Sequence, residues 1–242
     1  MTLEKIGMAA FEECYKLEKI KIPPKVTKVE KHTFKYCRSL KQVEHYHRIV
    51  EIGASAFYNC SRLKLFHIPK RVTQIDISAF AFCHSYEEAE IPDTISALPN
   101  SPFESCVSLK SVKIPEHIES IPVNCFKGCR DLEDVNLPSG LKEIGAGAFR
   151  NCYSFDPPAL PDGLKEINPS AFRFCDKIIQ ISLPGSITDI PVSAFGDCTN
   201  LQKIEFAAVK NVDNYAFSNC PNLREILIQN IEERIGIAAF QN

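Results

Sequence analysis

Phenylalanine returns along this chain with a period that leaves little choice of fold. It stands at Phe11, Phe34, Phe57, Phe80, Phe103, Phe126, Phe149, Phe172, Phe195, Phe217 and Phe240, 23 residues apart except for the 22 between Phe195 and Phe217. A cysteine follows three residues after each of the first ten, from Cys14 through Cys60 and Cys129 to Cys220. Two residue types held in phase over so many cycles identify a repeat array. Each unit of such an array buries its apolar side only by stacking on its neighbours. One continuous core would make residues 1–242 a single elongated domain, with both ends apparently uncapped.

Counted from the phenylalanine, the unit reads Phe-x-x-Cys-x-x-Leu-x-x-Ile-x-Ile-Pro-x-x-Val-x-x-Ile. The third full unit shows it as Phe57, Cys60, Leu63, Phe66, Ile68, Pro69, Val72 and Ile75. Steps of three predict a short helical turn. Ser55, Ser78, Ser101, Asn124, Ser170 and Ser193, two residues before the phenylalanine, are placed as its N-caps. The step of two predicts a short strand with one face inward, and the following proline ends its ladder. The fold class is therefore an α/β repeat solenoid of about ten 23-residue coils, with a parallel strand face and short helical turns.

The segments Ile52-Gly53-Ala54-Ser55-Ala56-Phe57-Tyr58-Asn59-Cys60 and Ile144-Gly145-Ala146-Gly147-Ala148-Phe149-Arg150-Asn151-Cys152 resemble the BspA-like class of leucine-rich repeats. The resemblance covers essentially the whole chain and implies a leucine-rich-repeat arc. Proteins of this class occur on bacterial and protist surfaces and are linked to adhesion and protein binding. The class implies no shared catalytic residues and supplies no ligand.

Composition narrows the function. Net charge is −2, which argues against a general nucleic-acid binder. No apolar run approaches the roughly 20 residues that span a bilayer. The Met1–Gly7 segment mixes acid and base and does not read as a signal peptide, so the chain as written is expected to be cytoplasmic, or at the cell surface as part of a longer protein. Charge is uneven. Residues 1–80 hold 15 Lys and Arg against 8 Asp and Glu, and the remainder holds 13 against 22. That asymmetry favours head-to-tail contacts or an anionic partner near the N-terminal third. Spacings of 23 do not make a zinc site, and stacked cysteines would point the same way rather than converge on a disulfide. The in-phase cysteines read as buried reduced thiols with weak donor capacity. Cys125, the one cysteine off phase, has His117 as its nearest histidine in sequence. No phosphate loop, nucleophile elbow or paired-histidine motif accompanies it, so no enzyme activity, metal or cofactor is expected.

Function should lie where the repeat varies. His45 falls where other units place Ile22, Ile68, Ile91, Ile114 or Leu137, and is expected as a core histidine bonded to a carbonyl, with Tyr46 covering the missing proline. A metal site from His45, His47 and His67 is the weaker reading. Pro157 and Pro158 should interrupt the strand of the seventh unit. The ninth loses its proline and one residue, and the last strand, Ile226-Leu227-Ile228, should expose Leu227. On the strand face Lys64, Glu87, Lys110 and Glu133 predict a ladder of compensating charge. That leaves Lys19, Lys21, Lys41, Gln42 and Glu44 on the first coils, with Arg48, His67, Lys70 and Arg71 beside them, as the candidate partner-binding residues. The expected function is a protein-binding or adhesion module. The alternative is a scaffold associating through its uncapped ends.

Overall fold

A computed structural model describes residues 3–64, 67–228 and 234–242. Phe66 and the side chain of Ile228 lie outside the described residues, as do Met1 and Thr2. The chain winds into a parallel β-solenoid of about nine coils, close to the ten counted on the phenylalanines. Each strand pairs in parallel with the residue one repeat further on, as in Ile20 with Val43, Val112 with Val135 and Ile181 with Ile204. The shortened ninth unit keeps register by pairing Ile204 with Ile226, 22 residues away.

Three columns run along the stack. The first holds the Ile-x-Ile strands, among them Lys19–Lys21, Gln42–Glu44, Glu88–Glu90, Ser111–Lys113 and Asp134–Val135. The second holds two-residue strands ending on the last Ile of the unit, such as Glu51–Ile52, Gln74–Ile75 and Glu143–Ile144. The third is the phenylalanine turn. Between them Phe34 through Phe217 are fully buried, each ring stacked on the next at centroid distances of 5.2 to 5.9 Å. The offset stacked geometry suits ring quadrupoles and adds to area burial.

The expected helical turns are absent. Among the described residues the only helix is a 3-10 turn at Tyr46–Arg48. In the third column, amides alternate between two partners. Ala56, Tyr58 and Cys60 donate to Gly53, Ser55 and Phe57, three residues back. Ser55, Phe57 and Asn59 donate instead to Ile77, Ala79 and Ala81 on the next coil. A helix would keep every amide within its own coil. The supposed N-caps have φ between 51° and 58°, at Ser55, Ser78, Ser101, Asn124, Ser170 and Ser193, so they sit in left-handed backbone rather than ahead of a helix. That conformation costs an L-residue about 1–2 kcal/mol. The inter-coil bonds flanking it offset the cost.

Prolines cut the ladders at defined places. In the second column the residue after the strand donates to the previous coil, as in Gly53 to Val29, Asp76 to Ile52, Gly145 to Ile121 and Asn168 to Ile144. Pro99, Pro122 and Pro191 occupy that same position and have no N–H. The second column breaks at those three steps, into sheets ending at Ile75, running from Ser120 to Ile167, and beginning again at Asp189. The first column breaks at Pro157-Pro158, as the sequence led one to expect. The seventh and eighth coils therefore share no strand pairing among the described residues. Their contact rests on the turn column, with Asn151 N–H donating to Arg173 O at 2.9 Å and Cys175 Sγ to Phe149 O at 3.1 Å, and on the Ser186 hydroxyl, which donates to Asp162 O at 2.8 Å.

The central ring column sets the first test. Phe126→Ala should lower unfolding stability by about 3–5 kcal/mol, read by chemical denaturation, because two stacked neighbours hold the cavity open. A loss below about 1 kcal/mol would show that the column is not the principal core contact.

Candidate interaction surface

Residues that repeat in phase are inside, and those that vary are outside. On the first strand column Lys19, Lys21, Lys41 and Gln42 are exposed and Glu44 is half-buried. Lys19 lies in register with Gln42, and Lys21 with Glu44. Lys41 and Gln42 share a shallow recess with Arg62 and Lys64. Lys41 Nζ is held by Glu18 Oε2 at 3.0 Å, and this contact holds the Glu18 carboxyl below its ordinary range. Arg48 is turned back onto its own stack, its Nη1 donating to Pro24 O at 3.1 Å. Arg71 is exposed and is not gathered with the others.

The second coil departs from expectation in an informative way. His45 is exposed, and Tyr46 is the buried residue. His45 takes left-handed backbone, φ 62°, which opens the 3-10 turn and swings the Tyr46 ring inward. That ring meets Phe57 edge-on at 5.8 Å, in the part of the core where other coils supply isoleucine. Tyrosine thus takes the core position, its hydroxyl buried with the ring, while the imidazole stays in solvent. The displaced turn leaves a cleft of about 570 Å³ at the proline corner. Its floor includes Ile68, Pro69 and Ile91, and its rim carries His47, His67, Lys70, Glu90 and Asp93. His67 and Lys70 thus belong to one concavity bearing both signs of charge. The rings of His45 and His47 lie 6.2 Å apart, and no group of three His, Cys, Asp or Glu among the described residues is placed to hold a metal. A second cleft, of about 610 Å³, opens at the strand break beside Pro157, Pro158 and Gln180.

The anticipated charge ladder is in register but not closed. Lys110 N–H bonds to Glu87 O and Glu133 N–H to Lys110 O, so Glu87, Lys110 and Glu133 do stack. Among the described residues their side chains form no ion pair within 4 Å. Pairs close elsewhere, as between Glu90 and Lys113 at 3.5 Å and between Glu119 and Lys142 at 2.6 Å.

One surface feature escaped sequence reasoning. Tyr36 meets Tyr58 edge-on at 5.5 Å, and Tyr58 meets Phe82 at 5.1 Å, forming a half-exposed aromatic row on the turn edge. The Arg38 guanidinium lies 5.6 Å from the rings of both Tyr15 and Tyr36. The row shifts phase by a residue from coil to coil, so a strict repeat count does not reveal it.

The cysteines are donors as well as filler. Cys37, Cys60, Cys83, Cys106, Cys129, Cys152, Cys175, Cys198 and Cys220 each direct Sγ to the carbonyl of the phenylalanine on the preceding coil, at 3.0 to 3.3 Å. Burial pushes these thiols up, Cys37 and Cys220 to about 12. Cys125 is fully buried and likewise pushed up by burial, while His117 Nε2 sits 2.8 Å from Ile95 O. The thiol and the imidazole form no nucleophile–base pair. No helix among the described residues is long and apolar enough to cross a membrane. Leu227 is 43% exposed on the last strand of the first column, Glu225–Ile228.

Comparison with known proteins agrees with this architecture. The family model for the BspA type leucine rich repeat region, in six copies, matches residues 4–133 and 119–242. A leucine-rich repeat protein from Bacteroides ovatus superposes with TM-score 0.84 and 29% identity, over 98% of this chain and 67% of its own. A leucine rich cell surface protein from Faecalibacterium prausnitzii gives TM-score 0.61 and 29% identity, over 82% of this chain and 62% of that one. The leucine-rich repeat protein of T. pallidum gives 0.55 and 27%, over 62% and 71%. No curated protein matches.

Two outcomes follow from the thiols. In the native protein a thiol-labelling reagent at neutral pH should modify Cys14, the half-buried cysteine, and leave the buried ones untouched until the chain is unfolded. Rapid labelling of Cys125 would instead reopen a reactive-cysteine reading. The folded state also holds ten thiols above their ordinary range, so above about pH 9 the unfolded chain releases protons that the native one retains. Their contribution is intact below that pH and falls as pH rises through it, by about 1.4 kcal/mol per pH unit for each thiol. Denaturation midpoints measured from pH 8 to about 10.5 should drop steeply, and each Cys→Ala replacement should flatten the drop.

Proposed function

We propose, from the premise that this chain belongs to the BspA-type leucine-rich repeat family, that residues 1–242 form one solenoid domain serving as a non-catalytic protein-binding module. The observation that carries this reading is the division of labour within each coil. The residues that repeat are buried, while Lys19, Lys21, Gln42, His67 and Lys70 stand on an exposed face and at an open corner cleft. An extended stack with variable outward positions is a surface for another protein. The partner is read as anionic where it meets the first three coils. The F. prausnitzii neighbour is described as a cell surface protein, which supports an adhesion role for this chain at a cell surface.

A second reading, association through the ends, is favoured by Leu227, Ile235 and Ile237, exposed by 43, 56 and 70% on the last coil. A salt-resistant oligomer in light scattering would support it.

Charge reversal tests the first reading. Replacing Lys19, Lys21, Lys41, Lys70 and Arg71 by Glu should weaken capture of the physiological partner by at least about tenfold, roughly 1.4 kcal/mol, with the fold unchanged by circular dichroism. A partner that binds the reversed protein equally well uses another surface.

A further inference from the structure

The strand face carries more charge than its own ion pairs consume, and the surplus is divided by sign. On the first three coils Lys19, Lys21, Arg62 and Lys64 are exposed and, among the described residues, lie in no ion pair. On the fourth and sixth coils the same is true of Glu87, Glu88, Glu133 and Asp134. These positions fall in shared columns. Glu88 is in register with Ser111 and Ser111 with Asp134, while Glu133 bonds through its backbone to Lys110, and Lys110 to Glu87. Of the two lysines on this face within the acidic block, Lys110 and Lys113, the second is taken by Glu90. One face thus has a basic half and an acidic half of nearly equal surplus, meeting between the third and fourth coils.

Such a face is complementary to itself. A two-fold axis lying in the face, along the strands and between the third and fourth coils, sets each coil opposite the one that completes a sum of seven. Lys64 then faces Glu87 of the other copy, Lys19 faces Asp134, and Glu44 faces Lys113. The like-charged meetings, Lys41 with Lys110 and Glu18 with Glu133, are softened because Glu18 and Lys41 already neutralise each other at 3.0 Å. The operation repeats every favourable pair twice, as an isologous interface requires. A purely anionic partner would match the first half and be repelled by the second.

We infer that the strand face of the first six coils docks a second copy of this chain, antiparallel along the stack, as an electrostatically matched homodimer. This self-association goes beyond the heterotypic binding proposed above and is measured without any partner.

Sedimentation velocity on the purified 242-residue chain provides the test. A dimer is expected in about 20 mM salt and a monomer in about 500 mM, where the screening length falls from roughly 20 Å to roughly 4 Å. Lys19→Glu with Lys64→Glu should be monomeric at low salt, and so should Glu87→Lys with Asp134→Lys. An equimolar mixture of the two variants should recover at least half of the dimer, because each now presents the sign the other lacks. That recovery also shows both variants to be folded. A wild type that stays monomeric at low salt overturns the inference. So does a dimer that survives high salt, a variant that still dimerises alone, or a mixture that stays monomeric.

Discussion

Everything in this solenoid depends on how one coil is bonded to the next at the phenylalanine turn. From Phe11 to Phe172 each repeat phenylalanine carbonyl accepts an amide from the cysteine three residues on and a thiol from the cysteine of the next coil. From Phe11 to Phe217 each repeat phenylalanine amide crosses to the neighbouring coil, at 2.7 to 3.2 Å. The stacked rings fill the space inside. A small donor is needed beside a large ring, and cysteine is the residue that is small, apolar enough to bury and still able to donate. With that column in register the two strand columns need only short ladders, and they tolerate prolines that would disable an ordinary sheet.

The same arrangement explains what could be read in advance. The period, the buried rows, the parallel register and the interruption at Pro157-Pro158 follow from residue type and spacing alone. The helical turn did not survive, because a step of three suits consecutive tight turns as well as a helix. What separates them is whether the amides stay within the coil, which sequence does not display. His45 and Tyr46 exchanged roles for a similar reason. A single left-handed residue rotates the chain enough to choose the adjacent side chain for the core. The proline breaks of the second column were legible in principle, since Pro99, Pro122 and Pro191 share one repeat position. Their meaning required knowing that this position donates across the stack.

Of the candidate site, the exposure of the lysines was legible and their grouping was not. Repeat phase tells which side chains point outward. It does not tell that Glu18 claims Lys41, that Arg48 folds onto Pro24, or that His67 and Lys70 share a cleft with Glu90 and Asp93. Those outcomes depend on neighbours one coil away and on rotamers. The surface that emerges is chemically mixed, with charge of both signs ordered along the axis. That order suits recognition by registration of long surfaces more than capture of a compact ligand.

The seam between the seventh and eighth coils alters how the array should come apart. A stack of repeats behaves as a one-dimensional chain of units, each held by its own stability and by coupling to the next. Coupling is reduced where Pro157, Pro158 and Pro191 remove the strand ladders from both columns at once. Cooperativity has a natural boundary there. The coils beyond Phe172 can melt as a block while the earlier ones persist, the two blocks being tied by the turn-column hydrogen bonds and by the Ser186 hydroxyl donating to Asp162 and Leu164.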